Sequence, residues 1–133
     1  MYYEVTLKVT KQDNKGKDKE VKESFLVENA ELWSEVEQRG LELYNSEADI
    51  VAMKRSSVIE VVNEKKEDTP IFKAKLISTY VDEKGKEKEK SWVVALFAAD
   101  MNEANKKMQE YIKQGMEDLT LREIKQTNLL EII

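Results

Sequence analysis

Hydrophobic and polar side chains alternate at the start of the chain. The apolar members of the alternation are Tyr3, Val5, Leu7 and Val9. A period of two residues is typical of a half-buried β-strand. A polar turn containing Gly16 follows, and residues 21–27 predict the returning strand of a hairpin.

The next segment has a helical period. Asn29 is a favourable N-cap residue, and a single face of the predicted helix carries residues spaced three or four apart, namely Trp33, Val36, Gly40 and Leu43. Glycine inside a helix costs about 0.5–1 kcal/mol relative to alanine. We therefore expect Gly40 to allow a close approach of the helix to a sheet.

Residues 50–62 are rich in β-branched side chains and predict one long third strand. Ser56 and Ser57 interrupt the apolar run, which indicates a bulge or bend within that strand.

The first and second halves of the sequence are similar to each other. Residues 13–20 (DNKGKDKE) return as residues 82–89 (DEKGKEKE), a shift of 69 positions. The same shift aligns residues 3–7 with 72–76, and a shift of 71 aligns residues 53–62 with 124–133. Internal similarity of this kind predicts a tandem duplication.

The second copy repeats the order of elements. Phe72, Ala74 and Leu76 alternate along a strand, and residues 92–98 form the returning strand. Asp100 and Glu103 have the spacing of a capping box. The helix that follows is predicted to end near Gly115 and to present one face made of Met101, Ala104, Met108 and Tyr111. Residues 119–133 predict the last strand.

The fold class predicted by these patterns is α+β, with a strand–strand–helix–strand unit used twice in a single domain. Repeat 1 covers residues 1–62, a linker with Pro70 covers 63–70, and repeat 2 covers 71–133. We expect one mainly antiparallel sheet of about six strands with both helices on one face, since pairing the two copies protects their sheet edges.

The two returning strands differ in polarity. Residues 90–99 are apolar on both faces, which predicts a central strand or one covered by a partner. The first returning strand contains Lys22, Glu23 and Ser24, which favours an edge position.

Several stretches together resemble a known family. They are Phe72–Leu76, residues 82–88, Glu103 with Ala104, and the opening strand Tyr3–Val5. The chain resembles an uncharacterised domain-of-unknown-function family of short proteins from gut anaerobes and their phages. The resemblance covers nearly the whole chain. It implies an association with mobile elements, and it implies no activity and no catalytic residues.

Composition narrows the possible functions. The net charge is −5, and residues 1–69 carry all of it, which argues against a broad cationic face for nucleic acid. The chain has no cysteine and no histidine, so it has no disulfide, thiolate nucleophile or imidazole base. No apolar run approaches the ~20 residues of a membrane span. We expect a cytoplasmic, non-enzymatic protein without cofactor, metal or membrane contact.

One weak catalytic candidate is the Glu-x-Lys run at Glu123–Lys125, which with an upstream acid such as Asp100 or Asp118 would be a nuclease-like Mg²⁺ site. The same spacing occurs at Glu20–Lys22 and at Glu64–Lys66. Composition alone therefore produces the motif, and a solvated strand is the simpler interpretation.

Lysines recur at both predicted hairpin tips. In an extended strand Lys84, Lys86, Lys88 and Lys90 would share one side, and so would Lys15, Lys17 and Lys19. Tyr80 and Trp92 are candidate stacking partners for bases. The alternative interpretation is that these lysines are solvated and discourage aggregation through sheet edges.

Two functional hypotheses follow. The first is a non-catalytic interaction module that presents its sheet face, or an apolar edge near Trp92–Phe97, to another protein or to itself. The second is a single-stranded nucleic-acid-binding protein that uses the lysine-rich tips, Tyr80 and Trp92.

Overall fold

A computed structural model describes residues 1–115 and 119–133 of the chain. In these residues the fold is α+β, as predicted, with two helices and eight strands. The elements in chain order are β1 (Tyr3–Gln12), β2 (Asp18–Val27), α1 (Trp33–Glu42), β3 (Asp49–Arg55), β4 (Val58–Val61), β5 (Ile71–Val81), β6 (Glu87–Phe97), α2 (Met101–Gln114), β7 (Leu119–Gln126) and β8 (Leu129–Ile132).

The first compact unit consists of residues 1–56 and 128–133. Its four-stranded sheet has the order β3-β1-β2-β8, in which β1 pairs antiparallel with β2 and β3, and β8 pairs parallel with β2. Helix α1 contacts β1, β2 and β3. The alternating residues predicted from the sequence, among them Val5 and Leu7, form the core with Phe25 and Val36.

The second compact unit consists of residues 57–127. Its four-stranded sheet has the order β4-β6-β5-β7, with β5 antiparallel to β6 and β7, and β4 parallel to β6. Helix α2 packs on β7, and the core contains Phe72, Leu76, Leu96 and Met108. Unit 2 therefore has the same strand order as unit 1.

The prediction of one sheet of about six strands with both helices on one face is wrong. The described residues form two four-stranded sheets, each with its own helix, and each sheet takes one strand from the other half of the sequence. Only Ser56 and Ser57 connect β3 to β4. To pair on the far side of β2, strand β4 would have to lie three strand spacings from β3, about 14 Å. The three Cα–Cα steps across the connection span at most about 11 Å. Strand β4 thus cannot reach the far side of β2, where β8 pairs instead.

The two long final strands predicted for the repeats are each divided in two. Ser56–Ser57 separates β3 from β4, and Thr127–Asn128 separates β7 from β8. Ser57 is a bend, one of the two alternatives predicted for this position. A bulge lies at Val51, which is the unpaired residue between the pairs Leu7–Ile50 and Thr6–Ala52. Strand β7 has its bulge at Arg122.

The position of the second returning strand is confirmed, and that of the first is wrong. Strand β6 lies between β4 and β5, as its two apolar faces predicted. Strand β2 is not an edge strand, because β8 pairs with it on the side away from β1.

The start of α2 is as predicted, and the start of α1 is not. Asp100 Oδ1 accepts a hydrogen bond from the Glu103 N–H at 2.8 Å, and Gly115 is the C-cap residue. Helix α1 begins at Trp33 with Leu32 at the N-cap, and Leu32 cannot accept a side-chain hydrogen bond. Asn29 has φ 55° and lies before the cap.

The division of the sequence into repeats remains a prediction. The pairing within each unit agrees with it, since Ser24 pairs with Leu129 and Val93 pairs with Val58. These two pairs correspond under the shifts of 69 and 71 positions that align the sequence with itself.

Candidate functional site

The two lysine-rich hairpin tips form the same turn. Asp13 Oδ1 accepts from the N–H groups of Lys15 and Lys17 at 2.8 and 3.0 Å, and Asp82 Oδ1 accepts from those of Lys84 and Lys86 at 2.9 Å each. The glycine of each turn has positive φ, 75° at Gly16 and 77° at Gly85. These four lysines therefore lie in turns, where the strand alternation assumed from the sequence does not apply.

The second hairpin brings four of the predicted site residues onto one face. Tyr80 pairs with Lys88, Ser78 with Lys90, and Leu76 with Trp92. Directly paired residues share a face, and Glu87 and Glu89 lie on the opposite face. We call the set Tyr80, Lys88, Lys90 and Trp92 the aromatic arm.

Two contacts arrange the lysines of the aromatic arm. Lys90 Nζ lies 5.8 Å from the centroid of the Trp92 ring, within the range of a cation–π contact. Lys88 Nζ lies 3.5 Å from Asp82 Oδ2. Tyr80 is 47% exposed, so part of its side chain is accessible to a ligand.

The first hairpin has different residues at the corresponding positions. A shift of 69 places Lys11 at the position of Tyr80 and Glu23 at that of Trp92. Lys11 and Glu23 form an ion pair, and the Tyr44 hydroxyl also donates to Glu23. Lys19 pairs with Lys11 across the strands. The first hairpin therefore does not reproduce the combination of lysines and aromatic rings.

The charges around Glu23 shift two pKa values. Burial raises the pKa of Glu23. The hydrogen bonds from Lys11 and Tyr44 lower it by more than burial raises it, so the pKa lies below 4.5. Burial and the Glu23 carboxylate raise the pKa of Tyr44 well above its ordinary value. Lys11, Glu23 and Tyr44 thus form a structural charge network.

Among the described residues, Glu123 and Asp100 of the nuclease-like hypothesis do not belong to any group of three acidic side chains that could hold a metal ion. Glu123 pairs with Lys75 and Lys125 pairs with Lys73, so Glu123 lies on a lysine-rich face of the sheet. Asp100 is occupied as the N-cap acceptor of α2, and Asp118 lies outside the described residues. Within residues 1–115 and 119–133 no group of three acidic side chains could hold a metal ion.

A shallow, open apolar groove on the surface of unit 1 was not predicted. It lies at the first residue of α1 and along the edge strand β3, and it is lined by Trp33, Ile50, Val51, Ala52 and Met53. We call it the Trp33 groove. Trp33 is 44% exposed and Val51 is 45% exposed. The Trp33 ring packs edge-to-face on Tyr3, with centroids 4.9 Å apart, which fixes its orientation.

The same place in unit 2 is more polar. There the lining mixes apolar, amide and charged side chains, namely Met101, Leu121, Ile124, Asn102, Asn105, Arg122 and Glu123. Arg122 occupies the bulge position that Val51 occupies in β3. Charged residues are the usual protection of an edge strand against pairing with another chain, and unit 1 lacks that protection at its bulge.

The sequence carried a signal for this difference. The shift of 71 aligns Ile50–Met53 with Leu121–Ile124 and sets Val51 and Ala52 against Arg122 and Glu123. This difference in polarity points to a binding surface only once both segments are known to be edge strands.

The apolar edge expected near Trp92–Phe97 is not an edge. Strand β6 has β4 on one side and β5 on the other. Its side chains from Val94 to Phe97 are buried. That segment is core, and the exposed apolar edge lies on β3 instead.

Within the described parts of the chain, no helix has both the length and the apolar character needed to cross a membrane. A comparison with curated proteins finds no match, and a comparison with solved structures finds none. A family described as Domain of unknown function (DUF4494) matches residues 1–133, and the chain therefore belongs to that family.

Proposed function

We propose that the chain is a non-enzymatic protein-interaction module whose binding surface is the Trp33 groove. The observation that carries the proposal is the exposed Val51 in the bulge of edge strand β3, at the position where the matching strand of unit 2 has Arg122. Exposed apolar surface beside an aromatic side chain is typical of an interaction site.

The groove combines two kinds of contact. Edge strand β3 offers backbone N–H and C=O groups on its outer side, to which an extended segment can add as a further strand. Trp33 and Val51 offer apolar contact on the adjoining surface. A partner that supplies one extended, apolar segment would satisfy both.

The N-cap of α1 supports the same conclusion. Leu32 is 59% exposed and leaves the helix without a side-chain cap. A polar cap residue is worth about 0.5–2 kcal/mol over a residue that cannot cap, and α2 has such a cap in Asp100. The exposed leucine next to Trp33 makes no capping hydrogen bond, and it fits an apolar binding surface.

Affinity capture from the native host tests the proposal. The bait proteins are wild type, Val51→Arg, and Leu130→Arg, the last of which introduces the same charge at an exposed residue of edge strand β8. We expect Val51→Arg to lose a partner that the other two retain. Arginine fits this bulge, since Arg122 occupies its counterpart in β7. Equal capture by all three proteins would refute the proposal.

The cellular compartment and the evolutionary origin of the protein are part of the proposal. We place this interaction in the cytoplasm, and we propose an origin in phages or other mobile elements, as the family resemblance implies. A captured partner encoded in the same element would support that origin, and one encoded elsewhere in the host genome would count against it.

The alternative function is single-stranded nucleic-acid binding by the aromatic arm. The register that places Lys88, Lys90, Tyr80 and Trp92 on one face favours it, since bases stack on aromatic rings while lysines contact the phosphates. Fluorescence anisotropy with labelled single-stranded DNA tests it. We expect affinity to fall steeply as salt rises and to fall about tenfold in Tyr80→Ala, from the loss of one stacking contact.

The matched control for this test is Lys19→Ala, because Lys19 corresponds to Lys88 in a hairpin without the two aromatic rings. A wild-type protein that does not bind the DNA at low salt, or one that Lys19→Ala weakens as much as Tyr80→Ala does, would exclude the aromatic arm as the site.

A further inference from the structure

We infer that the occupant of the Trp33 groove is a second copy of this chain, paired antiparallel along β3 about a twofold axis. This inference rests on the proposed function of the groove and names the partner. It follows from the order of charges along β3, which begins with Asp49, ends with Lys54 and Arg55, and is apolar between them.

The bulge determines which side chains of β3 share a face. Ile50 pairs with Leu7 and Met53 pairs with Val5, so both lie on the face that packs against α1. Asp49 and Lys54 lie together on the other face, since they pair with Lys8 and Glu4. Two residues five positions apart occupy opposite faces of a regular strand. They share one here because Val51 is an extra residue in the ladder.

This arrangement makes β3 complementary to itself. When the twofold axis passes between Val51 and Ala52, Asp49 lies opposite Lys54 of the second copy, and Lys54 lies opposite its Asp49. On the other face Ile50 lies opposite Met53 of the second copy, and by symmetry the contact occurs twice. Opposite charges directly across an antiparallel pair stabilise it, and a twofold contact of this kind closes without leaving a free complementary surface.

The corresponding strand of unit 2 does not fit the same operation. An axis between Arg122 and Glu123 would set Arg122 opposite Glu123 of the second copy, so that both charge pairs lie at the centre of the contact, where they lose water. Its ends would set Thr120 opposite Lys125, which is not a charge pair. Of these two bulged edge strands, β3 alone has an apolar centre with opposite charges paired at both ends.

Sedimentation equilibrium of the full chain over a range of concentrations tests the inference. We expect wild type to dimerise and Val51→Arg to be monomeric. Asp49→Lys and Lys54→Asp each place like charges at both ends of the contact. We therefore expect each to raise the dimer Kd about tenfold or more, while thermal unfolding confirms that every variant is folded.

Mixing the two charge variants gives the sharpest result. In a mixed dimer of Asp49→Lys with Lys54→Asp, both end contacts become lysine–aspartate pairs. We expect the mixture to associate more tightly than either variant alone, which a general loss of stability cannot produce. Failure of the mixture to do so would overturn the twofold register.

The outcomes separate the inference from the function on which it rests. A wild-type chain that stays monomeric, or a dimer that Val51→Arg leaves intact, overturns the inference. If Val51→Arg still loses a captured protein in that case, the groove binds another protein and the proposed function stands. Capture that does not depend on Val51 removes the proposed function itself.

Discussion

Gly40 is the residue through which helix α1 approaches its sheet. A Cβ atom added at Gly40 would lie 3.3 Å from Val5 Cγ2 and 3.7 Å from each Leu7 Cδ atom. Val5 is fully buried, and a β-branched side chain has little rotamer freedom with which to move away. The close approach that was predicted from a glycine on a helical stripe is confirmed.

The first prediction concerns Gly40→Ala. Alanine gains about 0.5–1 kcal/mol of helix propensity, but its methyl group crowds Val5, so we expect the variant to be no more stable than wild type. In a Val5→Ala background the space is open, and the same substitution is expected to stabilise the protein. Chemical denaturation of the four proteins measures this coupling. Equal effects of Gly40→Ala in both backgrounds would contradict the crowding.

The second prediction concerns the ionisation of Glu23. Its pKa in the folded protein lies below 4.5, so the folded state favours the carboxylate. The stability that this provides is present above the ordinary pKa of glutamate and is lost as pH falls through the lowered pKa. We expect Glu23→Gln to lower Tm near neutral pH and to have a smaller effect in acid. A difference in Tm that does not change with pH would show that Glu23 acts only through packing.

Single residues differ in how far the sequence predicts them. Gly40 could be interpreted because helical spacing is local, and so could the Asp100–Glu103 cap. The contact between Tyr44 and Glu23 could not, because it joins residues 21 positions apart in different elements. Val51 appears in the sequence as an ordinary strand residue, and its exposure depends on which strand forms the edge.

At the scale of elements, the two helices are capped differently. Asp100 caps α2 through the Glu103 N–H, whereas Leu32 occupies the N-cap of α1 in an extended conformation, with φ −118° and ψ 145°. This backbone conformation is the one a capping serine adopts. The backbone at position 32 therefore already suits a cap, and a side chain with an oxygen acceptor could make the capping hydrogen bond.

The third prediction follows from this difference. Leu32→Ser is expected to stabilise the protein by about 0.5–2 kcal/mol, because the hydroxyl can accept from the first turn of α1. Serine is preferable to aspartate, since Glu31 and Glu35 are already acidic neighbours. Asp100→Ala should cost a similar amount at α2, and urea unfolding measures both. A Leu32→Ser variant that is less stable than wild type would mean that Leu32 has an apolar role within unit 1.

The strands could be predicted from the sequence, but their assignment to sheets could not. Alternation identified both hairpins, and the shift of 69 identified them as equivalent. The apolar run from Ile50 to Val62 predicted one strand, because Ser56–Ser57 is too short to indicate a change of sheet. The reach of a two-residue connection excludes β4 from the far side of β2, and this can be worked out only once the strand order is known.

At the scale of the molecule, each sheet depends on a strand from the distant half of the sequence. Strand β8 pairs with β2, and two further hydrogen bonds extend the contact, from the Ile133 N–H to the Leu26 carbonyl at 2.8 Å and from the Glu28 N–H to the Ile133 carbonyl at 3.0 Å. In unit 2 the Val62 N–H donates to the Ala95 carbonyl at 2.9 Å beyond the end of β4. A substitution in β8 should therefore affect unit 1, although its neighbours in sequence belong to unit 2.

The fourth prediction uses two adjacent residues of β8. Leu129 is 3% exposed and Leu130 is 53% exposed, so Leu129→Ala is expected to cost about 2 kcal/mol or more, while Leu130→Ala should change stability by less than about 0.5 kcal/mol. In hydrogen exchange, Leu129→Ala should reduce the protection of the β2 amides. Val58→Ala should likewise reduce the protection of the β6 amides. If Leu129→Ala instead reduced the protection of the β7 amides, which are its neighbours in sequence, the pairing of β8 with β2 would be wrong. The two sheets would then each be built from one half of the chain.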